Sequence, residues 1–351
     1  MKEEFLTILR KLISIGKLNL AELKIWLYLK LQKLKIKKLL VTGGCGFIGS
    51  HFLRKILTET DFDIINLDKL TYAGKLENTA DLAKNSRYKF IEGNICDKSL
   101  VDKLISEVSA IVNFAAESHV DNSIENPQVF VETNVLGTQT LLDSARKHSL
   151  EKFLQISTDE VYGDLPLNST GKFREHDELK PSSPYSASKA AADMLCIAAW
   201  RTFKQPITIS RCSNNFGTHQ LAEKLMPLVI SRALKNEKIP VYGDGKNVRD
   251  WIHVNDHCSA ILKILEKGKT GEIYNIGADN ELANIKLVKL LLKILKKDEK
   301  LIEFVKDRPG HDRRYAIDSS KTQSELDWYP EHVNFEEELK KMVAWYEKEN
   351  F

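Results

Sequence analysis

The sequence predicts an α/β protein: a doubly wound, mostly parallel sheet followed by a smaller C-terminal α/β part. Three observations carry this. Short apolar runs alternate with stretches of helical periodicity from about residue 38 to residue 212. A glycine turn, "VTGGCGFIGSHF", separates the first run from the first helix. A carboxylate, Asp68, ends the next run, 19 residues after the last glycine of that turn. Strands alternating with helices imply a parallel sheet covered on both faces. At 351 residues the chain suffices for one large domain or two ordinary ones, and 42% hydrophobic with 29% charged residues is a globular composition.

Residues 1–37 form a basic amphipathic extension. Leu6, Leu9 and Ile13, then Leu20, Leu23, Leu27, Leu31 and Leu34, recur at helical spacing among lysines. Charges interrupt the apolar positions and no small-residue cleavage site follows, unlike a signal peptide. Three readings stand: a helix packed on the body or a partner, a helix at an anionic membrane surface, or an extension from a misassigned start. Residues 1–38 hold ten Lys and Arg against three Glu, so with +3 overall the remainder carries −4. A mildly acidic body argues against nucleic acid as a partner. Five scattered cysteines without C-x-x-C spacing fit reduced thiols in the cytoplasm and give no zinc signature, so no metal is expected. No apolar run approaches the ~18 residues of a membrane span.

Strands are predicted over residues 38–41, 63–67, 88–91, 110–114, 153–156 and 206–210, and helices over 47–59, 128–147 and 185–203. Beyond residue 212 helical patterns at 223–236, 256–267 and 284–297 mix with loops rich in Gly, Asp and Pro. Residues 38–211 therefore read as a Rossmann-like nucleotide-binding domain, with about 241–275 returning to it. Residues 212–351 read mainly as the substrate-binding part.

Gly43, Gly46 and Gly49 are spaced G-x-x-G-x-x-G, with Phe47 and Ile48 inside the turn. The glycines permit a tight turn, close approach to a pyrophosphate and close helix–strand packing, and the diphosphate then meets free N–H groups of the helix N-terminus. Asp68 can accept from the adenosine ribose hydroxyls and would repel a 2′-phosphate, which favours NAD over NADP. "EGNICD", with Asn94 and Ile95, ends the third strand, and "NFAAESHVD" ends the fourth, where Ala115 and Ala116 let a cofactor approach the backbone. His119 reads as a structural histidine.

"YSASK" puts Tyr185 and Lys189 on one helix face. A nearby ammonium is expected to lower the phenol pKa from its usual ~10, making Tyr185 a base for alcohol oxidation. Upstream, "QISTDEVYGD" sets Thr158, Asp159 and Glu160 directly after a strand. Taken alone the pair reads either as a solvated loop or helix-start pair or, because repulsion between adjacent carboxyls keeps one protonated, as one acid and one base side by side.

From Gly43 to Lys189 the chain resembles the extended short-chain dehydrogenase/reductase superfamily, and within it the dTDP-glucose 4,6-dehydratases. "STDEVYGD", "PYSASKAAAD", "RCSNNFG", "VYGDGKNVRDWIHVNDH" and "DRPGHDRRYAID" carry the likeness, which covers about residues 38–345. The resemblance implies an NAD-dependent lyase for deoxysugar and cell-surface polysaccharide synthesis. Tyr185, aided by Thr158 and Lys189, would oxidise C4; Glu160 would take the C5 proton; Asp159 would protonate the departing C6 hydroxyl. It further implies Asn215, Glu223, Lys224, Tyr242, Arg249, Asn284, Arg308 and His311 as nucleotide-sugar contacts, and a homodimer through the helices near 128–147 and 185–203. The chain departs from the family pattern at Asn94, where Asp is common, at Asn122 for Arg, at Thr218 for Pro and at Cys45 for Ala. A sister 4-epimerase or decarboxylase shares the motifs from Gly43 to Lys189 but does not need the acid pair. A non-catalytic NAD-binding scaffold needs neither the pair nor Tyr185.

Overall fold

A computed structural model describes residues 36–349. Apart from Ile36 and Lys37, the N-terminal extension lies outside the described residues. Seven parallel strands form the central sheet: β1 (Lys38–Thr42), β2 (Asp63–Asp68), β3 (Tyr88–Glu92), β4 (Ala110–Asn113), β5 (Lys152–Thr158), β6 (Ile207–Cys212) and β10 (Ile273–Ile276), in the order β10-β6-β5-β4-β1-β2-β3. This is the doubly wound order, with the chain reversing direction across the sheet between β1 and β4. Every residue of β5 is buried, as expected for a central parallel strand covered on both faces.

Helices α1 (Phe47–Glu59), α2 (Lys98–Ile105), α3 (Val120–Glu125) and α4 (Pro127–Phe130) lead through a wide π-type turn, Val131–Gly137, into α5 (Thr138–Lys147). The single helix expected over 128–147 is thus interrupted. The interruption presents Asn134 inward, where its amide donates to the Glu117 carbonyl (3.0 Å) and to Ser188 Oγ (2.8 Å) and its Oδ1 accepts from the Glu117 N–H (2.9 Å). A π-type insertion of this kind turns one side chain out of the regular register, and such insertions are common at functional sites. Helix α6 (Pro184–Phe203) begins on a reciprocal cap between Ser183 and Ser186 with proline in its first turn.

The second half adds β7 (Asn214–Phe216), α7 (Leu225–Leu234), β8 (Ile239–Tyr242), β9 (Val248–His253), α8 (Val254–Lys267), β11 (Glu281–Ala283), α9 (Asn284–Ile294), β12 (Ile302–Val305), α10 (Ser320–Leu326) and α11 (Phe335–Lys348). Strands β11-β9-β7 make one small sheet and β12-β8 another. Strand β10 lies at the edge of the central sheet beside β6, and α8 packs on α1. One apolar core fills the space between sheet and helices around Leu40, Ile111, Leu141, Phe153 and Ile209. A second, around Phe216, Ile230, Trp251, Leu291 and Val343, holds the C-terminal helices to the small sheets. Among the described residues no helix is long and apolar enough to cross a membrane.

Candidate functional site

The loops at the carboxyl ends of the central strands enclose one cleft, where ligands of doubly wound sheets bind. Its floor is the glycine turn. Gly43 takes a φ of +71°, and a Cβ there would lie 2.6 Å from the Ala115 nitrogen; a Cβ on Gly49 would collide with the Gly43 carbonyl. Helix α1 carries no side-chain cap and no acidic residue in its first turn, so its N–H groups face the cleft uncompensated. Asp68 accepts from the N–H groups of Cys45 and Leu70, both at 2.9 Å, which fixes its carboxylate at the rim. Burial raises its pKa against those bonds.

Gly43, Gly46, Phe47, Ile48, Gly49, Asp68, Asn94, Ile95, Ala115, Ala116, Tyr185 and Lys189 all line this cleft. A glycine cradle that admits no Cβ, an open helix N-terminus and small alanine walls fit a dinucleotide. Asn94, where Asp is usual, turns its Oδ1 onto the Cys96 N–H at 2.9 Å. Sequence reasoning missed Glu117. It is 9% exposed, lines the same cleft, and has its pKa raised by burial. The available signal was its place four residues past the end of β4, in a loop at the carboxyl end of the sheet where such folds bind ligands.

The acid pair follows β5 on a tight 3-10 turn, Asp159–Tyr162, closed by Gly163 at φ +87°. Thr158 organises it: Oγ1 accepts from the Glu160 N–H at 3.2 Å and donates to Asp159 Oδ1 at 3.3 Å, and the same threonine stands near enough to Tyr185 to work against the rise of its pKa. Asp159 is 2% exposed and its Oδ2 has no partner. Burial, then the charges of Glu160 and Asp250, push its pKa well above the usual carboxylate range. Burial also raises Glu160, but the cations of Arg308, Arg249 and Lys224 oppose the rise. Both carboxyls are thus pushed toward the protonated form, with cations opposing this at Glu160.

One expectation fails. Lys189 Nζ donates to the Ile156 carbonyl at 2.6 Å and does not draw the Tyr185 pKa down. Burial, followed by the charge of Glu160, pushes Tyr185 well above its ordinary value, and burial lowers Lys189. A buried phenol beside two carboxyls has its anion disfavoured unless a cation reaches it more closely than this lysine does.

The residues implied as nucleotide-sugar contacts divide. Lys224 and Asn215 line the cleft. The Asn215 amide is turned inward, donating to the Ser213 carbonyl at 3.0 Å with its oxygen on His257 Nδ1 at 2.9 Å. Lys224 donates to the Ser118 carbonyl at 3.0 Å. Tyr242, Arg308 and His311 stand together: Tyr242 donates to Asp121 at 3.1 Å, Arg308 meets the same carboxylate at 3.3 Å, and the Tyr242 and His311 rings meet edge-on at 6.0 Å. Arg249 is 5% exposed, donates to the Asp312 carbonyl at 2.9 Å and lies over the Tyr315 ring at 4.1 Å. Arg308 Nε and Asn284 Oδ1 are buried without partners. Among the described residues Glu223 receives only the Tyr72 hydroxyl, at 3.4 Å.

The model of the GDP-mannose 4,6 dehydratase family matches residues 40–342. The low-salt glycan biosynthesis protein Agl12 of Haloferax volcanii is 50% identical over 307 residues, covering 88% of this chain and 97% of that protein. A dTDP-glucose 4,6-dehydratase of Xanthomonas campestris is 47% identical over 327 residues, covering 88% of this chain and 92% of its own. The crystal structure of DesIV, a dTDP-glucose 4,6-dehydratase from Streptomyces venezuelae with NAD and dTDP bound, superposes with a TM-score of 0.86 at 45% identity, covering 89% and 97% of the two chains.

Proposed function

This chain belongs to the dTDP-glucose 4,6-dehydratase family, and from that premise we propose that it converts dTDP-glucose to dTDP-4-dehydro-6-deoxyglucose with NAD as a bound cofactor. The observation that carries the reading is the pair of buried Asp159 and half-buried Glu160, whose surroundings set their protons apart, on the turn that Thr158 organises beside Tyr185. An epimerase needs no such pair.

The glycine turn, Asp68, Ala115 and Ala116 would hold the cofactor, which supplies, when bound, a transient oxidation: hydride leaves C4 of the hexose and later returns to C6. The chain supplies the proton chemistry. Tyr185, beside Thr158, accepts the C4 hydroxyl proton. Its raised pKa keeps the phenol protonated, so positive charge entering the cleft is what would free it to accept. The C4 ketone acidifies C5. Glu160, kept ionisable by Arg308, Arg249 and Lys224, removes the C5 proton, and Asp159 donates its retained proton to the leaving C6 oxygen. Arg249 and Arg308 then serve twice, gripping the substrate diphosphate and tuning Glu160. The partnerless Arg308 Nε and Asn284 Oδ1 supply groups for a polar ligand.

Homodimerisation belongs to the same reading. Val131, Leu136, Met194 and Phe203 leave apolar side chains exposed on the segments that the family likeness assigns to the dimer. Five unpaired cysteines support a cytoplasmic location, and the glycan role in the name of the Haloferax relative supports a deoxysugar product destined for surface glycans.

Glu160→Gln tests the assignment. It should bind NAD as the parent does, yet lose dehydration by about 10²-fold or more. Full turnover in that variant would remove Glu160 from its role.

A further inference from the structure

Among the described residues, His253, His332 and Glu338 offer three ligand atoms that all lie within 4.8 Å of one another. None of the three lines the cleft. They come from separate elements: His253 ends β9, His332 lies in the loop before α11, and Glu338 belongs to α11.

The surroundings are organised around them. The two histidine rings stack with centroids 4.1 Å apart and an interplanar angle of 19°, so one ring must turn before both present a nitrogen to one ion. Glu338 Oε2 faces His253 Nε2 at 4.0 Å, while Lys341 holds Glu338 Oε1 at 2.8 Å. His332 Nδ1 bonds Asp256 Oδ1 at 2.7 Å, and buried Asp256 is itself fixed by the N–H groups of Glu331 and His332, both at 3.0 Å. A carboxylate on the far nitrogen is the usual support of a metal-ligating imidazole, leaving the other nitrogen for the ion. The side chains of His253, His332 and Glu338 are 13%, 26% and 11% exposed, so water can reach a fourth position.

We propose that His253, His332 and Glu338 form a transition-metal site that ties α11 to the end of β9. Two imidazoles and one carboxylate suit zinc, cobalt or nickel. Ligand atoms on a tetrahedral zinc ion stand about 3.3 Å apart, given bonds of about 2.0–2.1 Å. His253 Nε2 and Glu338 Oε2 must therefore close from 4.0 Å by about 0.7 Å, and no pair among the three ligand atoms by more than about 1.5 Å, which side-chain rotation provides. His253 Nδ1 now accepts from the Asn255 N–H at 3.3 Å; ligation through Nε2 moves the ring proton to Nδ1 and gives up that long contact. The ion joins the second apolar core from outside, and its effect is on the anchoring of the C-terminal helix rather than on the cleft.

The test uses the untagged full chain, because a polyhistidine tag would bind metal itself. The protein is stripped with a chelator and titrated with Co²⁺ alone, then with Zn²⁺ in competition. The expected result is one Co²⁺ per chain, visible ligand-field bands without thiolate charge transfer, displacement by Zn²⁺, and a higher Tm with metal. Glu338→Gln and His332→Gln should each weaken binding at least tenfold. No binding by the parent protein, thiolate bands that place the ion on a cysteine, or binding that both variants retain would overturn the proposal. The parent titration decides even where a variant fails to fold.

Discussion

Asp159 and Glu160 are neighbours in the chain but not in electrostatics. Asp159 has one partnerless oxygen and feels Glu160 and Asp250 against Arg249, whereas Glu160 faces Arg308, Arg249 and Lys224 against Asp312. The pH dependence of turnover follows. Glu160 must be ionised to act, so activity rises through its pKa, which burial places above the ordinary value. Removing a cation disfavours the carboxylate and raises that pKa further. With substrate saturating, Arg308→Gln should move the acid limb of the kcat–pH profile to higher pH; an unmoved limb would separate Arg308 from Glu160. The pair itself was legible in sequence because two acids after an apolar strand are a local signal. Their division of labour was not legible in the composition of the turn. The cations that set it come from residues 224, 249 and 308, which only the fold brings to Glu160. The same limit explains Lys189: its i, i+4 spacing to Tyr185 is real, but spacing does not reveal that the Ile156 carbonyl takes the ammonium.

At the scale of elements, helix α6 does several jobs. It carries Tyr185 and Lys189 on one face, and further along Asp193 receives Arg211 Nε of β6 at 2.9 Å, with side chains only 0% and 1% exposed. Arg211 also lies over the Tyr162 ring at 4.8 Å and donates to the Glu175 carbonyl at 3.2 Å. Asp193→Ala leaves that guanidinium buried without its carboxylate, and denaturant unfolding should show a loss of about 3–5 kcal/mol. A loss below about 1 kcal/mol would mean that water reaches the pair. The outward faces of α6 and of the 131–137 turn make a second prediction. Leu136, 49% exposed, should sit in the homodimer, so Leu136→Glu should yield monomers in sedimentation while the parent chain sediments as a dimer. Parallel strands announced themselves as apolar runs because both faces are covered. The π-type turn stayed hidden because one inserted residue barely disturbs a helical period, and what specifies it is Asn134 reaching Glu117 and Ser188. The small sheets stayed hidden because their strands are short and pair across long separations, as β12 does with β8.

Over the whole molecule, the cleft at the carboxyl ends of the sheet has the glycine turn and the acid pair in its lining, and Arg249 and Arg308 reach Glu160 electrostatically. This arrangement lets one substrate be oxidised at C4 and dehydrated at C5 and C6 without leaving. The family likeness made the reaction legible from the motifs. The proposed metal cluster was not legible, since His253 and His332 lie 79 residues apart and match no ligand spacing. The most direct test of the central claim follows one atom. Purified protein is given dTDP-glucose carrying deuterium at C4, and the product is read by NMR. Hydride leaving C4 and returning at C6 predicts a 4-keto-6-deoxy sugar with deuterium in the C6 methyl group. A C4 epimer that keeps its deuterium at C4, or unchanged substrate, would contradict the account.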